Sequence, residues 1–223
     1  MDMCIDASHW PARGSLSVPW PTPGVPNQIQ SFEKAEFWLA FLSQFDLHTA
    51  VPLPTATKYL RAQKLYAYAW LEYDFIKAAE LVALSALEGA LSDCYGRAAM
   101  KVRKNGDDRK EPMLAELMNY MIEHDGLTDD VFPFALRYRQ RKEEKVVSAL
   151  YETNASRQVR NAAVKASAKD PSIFPPPEPM TLAAIRNGLA HGAPLEGWPW
   201  AGLLEIVKDL IEYAYRERLA GLF

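Results

Sequence analysis

The sequence predicts an all-α fold, a helical bundle built on one long central helix, and three observations carry that expectation. From Thr57 to about Lys104 there is no proline, and apolar residues recur at helical spacing. The last 24 residues form a second strongly amphipathic segment. Strict apolar–polar alternation, the mark of a half-buried strand, is absent throughout. A chain of 223 residues that is 49% hydrophobic can bury one sizeable core and is too short for two large domains. The expected organisation is a Pro-rich N-terminal arm plus an amphipathic helix over 1–55, followed by a helical domain over 56–223.

Met1 to Asn27 is rich in Pro, Gly and Ser, with Trp10 and Trp20 each beside a proline, and reads as an extended arm whose tryptophans dock on the core or on a second subunit. Gln28 to Thr49 reads as an amphipathic helix with Phe37, Trp38, Phe41, Leu42 and Phe45 on its apolar side. The run Val51-Pro52-Leu53-Pro54 breaks the chain, and Thr55 or Thr57 starts the next element. That element is the longest helix, or two helices with a kink near Gly89 or Gly96. One stripe carries Tyr66, Ala69, Tyr73, Ile76, Glu80, Leu84, Leu87 and Leu91, and the opposite side carries mostly alanines, so it is expected to be buried on two sides.

Glu80 falls inside the larger stripe, where an ionised carboxylate needs a partner or a cleft. Two roles are open to it: a buried ion pair, or an orienting partner for a functional group elsewhere. Glu88, at the edge of the stripe, is the second candidate. Pro112 to Glu123 and Phe132 to about Ala155 read as further helices, the first ended by Asp125-Gly126. Asp170 to Pro179, with five prolines, is a loop. After Trp198-Pro199-Trp200 the closing helix places Leu203, Leu204, Val207, Leu210, Ile211, Ala214 and Leu222 on one side. Glu205, Lys208, Asp209, Glu212, Arg216 and Glu217 form its expected solvent side.

Charge and composition narrow the function classes. Net charge is −3, but the first 96 residues hold six basic and ten acidic residues, whereas 97–110 hold six basic against Asp107 and Asp108, and 137–169 hold nine basic against three acidic. Such segregation suits an RNA partner, and solvated helix faces explain any single cluster equally well. Cys4 and Cys94 are far apart in sequence, which fits a reduced, cytoplasmic protein. The histidines at 9, 48, 124 and 191 have no metal-ligand spacing, so neither metal nor cofactor is expected. Met1 to Asp6 carries two acids and does not read as a secretion signal. Lys77, Glu80 and Glu88 interrupt the most apolar helix, so no membrane span is expected.

Function is placed on Thr181 to Pro194, Thr-Leu-Ala-Ala-Ile-Arg-Asn-Gly-Leu-Ala-His-Gly-Ala-Pro. Thr181 is a hydroxyl N-cap, Leu182, Ile185 and Leu189 form one stripe, and Gly192 with Pro194 is a stop, making His191 a last-turn residue. Asn187 and His191 share a face, while Arg186 is rotated from His191 by roughly 140°. The two therefore meet at one ligand only if the helix unwinds at Gly188 or Gly192, or if they act across a subunit boundary. Guanidinium, amide and imidazole together can hold a phosphate and move a proton. A second Arg-Asn pair, Arg160-Asn161, has Lys165 at the matching position, and on spacing alone a surface ion pair, a cap and a helix-end histidine explain the three residues.

Arg186-Asn187-Gly188-Leu189-Ala190-His191-Gly192 resembles the Arg-x(4–6)-His motif of the HEPN superfamily of all-helical domains, in which Asn often follows the Arg and Gly the His. The helix from Tyr73 to Tyr95 also looks like the long core helix of such proteins. The resemblance implies a metal-independent endoribonuclease of the toxin–antitoxin or antiviral-defence type, with Arg186, Asn187 and His191 as catalytic candidates; Glu80, from its place in the apolar stripe, is the fourth, as an orienting partner for His191 or Arg186. It further implies a homodimer with a composite site, RNA as substrate, and a cognate antitoxin as partner. The alternative it leaves open is a non-catalytic module that binds nucleotide or a protein. A subgroup of the family has Tyr two residues after the His as a modification target; here that position is Ala193, so regulation by that route is not implied.

Overall fold

The computed structural model describes residues 5–11, 14–23, 25, 28–102, 111–139, 146–150, 181–191 and 199–220. The chain is mostly helical, with α1 Ala35–Leu42, a 3-10 turn Ser43–Phe45, α2 Leu53–Tyr68, α3 Phe75–Val102, α4 Leu114–Glu123, α5 Pro133–Tyr138, α6 Val146–Leu150, α7 Leu182–Ala190, α8 Leu203–Ala214 and α9 Arg216–Ala220. One antiparallel hairpin, β1 Leu16–Pro19 and β2 Ile29–Phe32, precedes them, in the register Leu16 opposite Phe32 and Val18 opposite Gln30.

The hairpin departs from the helical reading of the first fifty residues. Gln28 to Thr49 is a strand, an eight-residue helix and a 3-10 turn rather than one helix. Its strands are too short for alternation to register as a period: Leu16 and Val18 point into the core and the Ser17 and Ser31 hydroxyls meet at 2.7 Å on the outside. Trp20, only 3% exposed, stacks on Phe45 and meets Phe41 edge-on, both at 4.9 Å between ring centroids. The arm is thereby built into the same core as the helices.

As far as it is described, to residue 102, the segment expected to be one long helix is two helices and does not kink at a glycine. It reverses over 69–74, where Ala69 and Trp70 are buried and the Trp70 indole donates to the Pro11 carbonyl. A continuous helix of that length would extend about 70 Å, well beyond one small domain, and could not cover both of its apolar sides. Folding α2 back on α3 buries both, and Ala79, Ala83, Ala86 and Ala90 on α3 let helices approach closely. Helix α3 packs against α2, α4, α7 and α8.

The closing amphipathic helix is shorter than expected at its C-terminal end, since α8 stops at Ala214 and α9 follows. Gly202 caps α8 with φ of +68°. Gly126, with φ of +78°, turns the chain after α4, the conformation glycine accepts most readily. No described helix is long and apolar enough to cross a membrane. The expected Pro-rich loop 170–179, most of the basic stretch 137–169, residues 103–110, and Cys4, Gly192, Ala193 and Pro194 lie outside the described residues.

Candidate functional site

Helix α7 starts where a hydroxyl cap precedes an apolar stripe. The Thr181 Oγ1 accepts from the Ala184 N–H at 3.1 Å, and Leu182 and Ile185 are buried against α3 and α4. The helix passes through Gly188 without unwinding and ends with His191 as its C-cap, whose backbone N–H donates to the Asn187 carbonyl at 3.0 Å. One of the routes by which Arg186 and His191 could converge within a single chain is therefore closed.

Arg186 points toward α3. Its Nη2 donates to Glu88 Oε2 at 2.9 Å and its Nη1 to Asn187 Oδ1 at 3.3 Å, while its Nε is buried with no hydrogen-bond partner. The pair is partly open, with the Arg186 side chain 30% and the Glu88 side chain 26% exposed. His191 is exposed, and its imidazole makes no hydrogen bond to a described residue. The result is a held guanidinium with one orphan donor on one side of the helix, and a solvent-facing imidazole at its end.

Glu80 does not join them. Fully buried, it accepts from Lys77 Nζ at 3.1 Å and from the Trp200 backbone N–H at 2.6 Å. Lys77 also lies 5.8 Å above the Trp200 ring. Burial pushes the Glu80 carboxyl up to about 7, against the opposing pull of Lys77 and of the Trp200 N–H. Of the two roles open to Glu80, the geometry is that of the buried ion pair, and the carboxylate that reaches Arg186 is Glu88.

A second polar cluster was not anticipated. Glu205 and Asp209, expected on the solvent side of the closing helix, are each only 4% exposed. Arg137 from α5 bridges them, Nη2 lying 2.7 Å from Glu205 Oε1 and 2.5 Å from Asp209 Oδ2. Tyr138 Oη donates to Glu205 at 3.0 Å, and the Trp20 indole N–H donates to Glu205 Oε2 at 3.1 Å. These residues floor a cleft of about 380 Å³ whose walls include Pro21, Phe41 and Phe45. The only local signal was the four-residue spacing of two acids on a helix that also carries Lys208 between them, a pattern indistinguishable in sequence from a solvated face.

A smaller cavity of about 160 Å³ is lined by Leu47, His48, Val51, Leu53, Tyr59 and Gln63. Neither cavity contains Arg186 or His191. Among the described residues no group of three or more His, Cys, Asp or Glu side chains is placed to hold a metal ion. Cys94 is free, with burial pushing its thiol up to about 11. Comparison with protein-family models, with curated proteins and with solved structures finds no match to this chain.

Proposed function

We propose that the protein is a metal-independent endoribonuclease of the HEPN type, acting in toxin–antitoxin or antiviral defence, with α7 carrying the reactive groups. The observation that supports this best is Arg186 itself: a guanidinium oriented by Glu88 and Asn187, with a buried Nε–H left without an acceptor. An orphan buried donor is costly, and because the side chain is 30% exposed, an anionic oxygen that displaces the Asn187 contact and turns the guanidinium outward would relieve it.

In this reading the ribose 2′-oxygen of RNA attacks the adjacent phosphorus, the bond to the 5′-oxygen breaks, and a 2′,3′-cyclic phosphate is left. His191 takes the 2′ proton or supplies one to the departing 5′-oxygen, and Arg186 stabilises the charge on the phosphorane. Asn187 orients Arg186. With the helix unbroken through Gly188 and Arg186 turned roughly 140° from His191, this reading composes the reacting pair across a homodimer, Arg186 of one copy facing His191 of the other. Glu80 acts here only through the fold.

The test is cleavage of single-stranded RNA in EDTA by the purified chain. His191→Ala and Arg186→Ala are each expected to abolish it, and mixing the two variants is expected to restore part of it through one intact composite site. Cleavage by both single variants at the parental rate would place any activity elsewhere. A second reading is favoured by the Arg186–Glu88 pair, which already satisfies part of the guanidinium: a non-catalytic module that binds nucleotide or a protein partner. A saturable thermal shift with nucleotide and no RNA cleavage selects it.

A further inference from the structure

The polar cluster beneath the hairpin holds more carboxylate than cation. Glu205 is saturated, with Arg137 Nε and Nη2, Tyr138 Oη and Trp20 Nε1 all directed at its two oxygens. Asp209 receives only Arg137 Nη2, at Oδ2, and its Oδ1 accepts from no described residue. Two carboxylates, each nine-tenths buried or more, thus share one guanidinium. A carboxylate so short of donors takes up a proton or a further cation more readily than a solvated one.

Its surroundings leave the same excess of one acid. On its own helix Asp209 has Glu205, Lys208 and Glu212 as charged neighbours, and Lys208 is already held by Glu212 at 2.6 Å. Across from it are Arg137 and Tyr138 on α5 and Tyr59 on α2, whose hydroxyl is pushed up first by burial and then by Glu212, Asp209, Asp46 and Glu205 together. Arg137 and Lys208 are the cations set against those acids.

We propose that this cleft binds a small organic cation, an ammonium or guanidinium head on a short carbon stem, whose head donates to Asp209 Oδ1. The walls suit such a ligand and not a bare ion. Phe41 and Tyr138, the part-exposed rings of the lining, offer surface on which an organic cation rests, and about 380 Å³ is far more than a single ion occupies. The Gln44 side chain at the edge adds a neutral acceptor. Arg137 and Lys208 also line the cleft, so an anionic control tests its preference for a cation directly. The cleft is built by the hairpin, α1, the 3-10 turn, α5 and α8, so it is independent of the α7 site.

Affinity then depends on pH with a defined sign. Burial pushes the Asp209 carboxyl up to about 6 against the pull of Arg137. The ligand needs the ionised form, so binding is full above that value and weakens as pH falls below it. At pH 5 about one molecule in ten is ionised, which makes binding about tenfold weaker.

The experiment is titration calorimetry on the full chain with agmatine, putrescine and N-acetylarginine methylamide at pH 7.5 and 5.0, with propionate as the anionic control. Saturable binding of at least one cation, about tenfold weaker at pH 5.0 and lost in Asp209→Asn, is expected. Preference for the free amines identifies a metabolite ligand, and preference for the blocked arginine identifies the side chain of a polypeptide. Should Asp209→Asn fail to fold, Phe41→Leu on the wall is expected to weaken binding several-fold. No saturable heat with any cation at about 10 mM, equal binding by a folded Asp209→Asn, or binding of propionate instead would overturn the proposal.

Discussion

Glu80→Gln isolates a buried carboxylate whose energetic cost can be worked from its surroundings. In the folded chain Glu80 ionises near 7 rather than at its ordinary 4.5, chiefly because burial strips its water. The folded state therefore holds the proton more tightly than the unfolded state. Stability falls as pH rises from about 4.5 to 7, because the unfolded chain releases the proton first. At about 1.4 kcal/mol per pH unit this amounts to about 3 kcal/mol, present in full below the lower value and gone above the higher one. Glutamine keeps an acceptor for the Trp200 N–H and cannot titrate. Urea unfolding of both proteins between pH 4.5 and 8.5 is the assay, since the difference between them cancels the titration of all other groups. The parent is expected to gain about 3 kcal/mol on the variant as pH is lowered across that range. A difference that stays flat to within about 0.5 kcal/mol would show that Glu80 is not desolvated as the structure has it.

Asp125 is expected to behave with the opposite sign. Burial raises its carboxyl, but bonds from Arg216 at 2.7 and 2.9 Å and from Tyr95 at 2.5 Å overcome that and hold it below the ordinary carboxylate value. Its contribution is thus lost as pH falls through the acid range, and Asp125→Asn should flatten the acid limb of the unfolding curve. Gly202→Ala should cost about 2 kcal/mol or more in urea unfolding, because φ is +68° and the new Cβ would lie 2.8 Å from Pro21 Cδ. Thr181→Ala should cost about 1 kcal/mol and raise amide exchange in the first turn of α7, through loss of the bond to the Ala184 N–H. Arg186→Ala should cost no more than about 1 kcal/mol of stability, since its pair with Glu88 is partly solvated, while removing RNA cleavage. Equal losses of stability and activity would mean that Arg186 serves the fold alone.

The parts of the chain that sequence reasoning recovered are those governed by neighbours within one or two turns. The start of α7 at Thr181, the end of α4 before Gly126, and the apolar side of α8 each follow from a cap, a glycine or a stripe. The candidate site was legible to the same depth: the helix and the order of Arg186, Asn187 and His191 along it were readable, and the carboxylate that grips Arg186 was not. Glu80 and Glu88 lie on the same helix eight residues apart, and only the docking of α7 and of Trp200 selects Glu88 for Arg186 and Glu80 for the backbone. The hairpin was illegible because four-residue strands carry no measurable period, and the reversal at 69–74 because no Gly or Pro marks it.

By itself the sequence determined a helical chain and the segments able to bury an apolar side, since both follow from backbone hydrogen bonding and from the 3.6-residue repeat. Tertiary structure alone decided which charges leave water. Arg137 meets Glu205 and Asp209 from 68 and 72 residues away, and Arg186 meets Glu88 from 98. The reason is physical: a side chain's solvation is set by whatever surface packs over it, and for Glu205 and Asp209 that surface is a hairpin and a helix that local sequence cannot place.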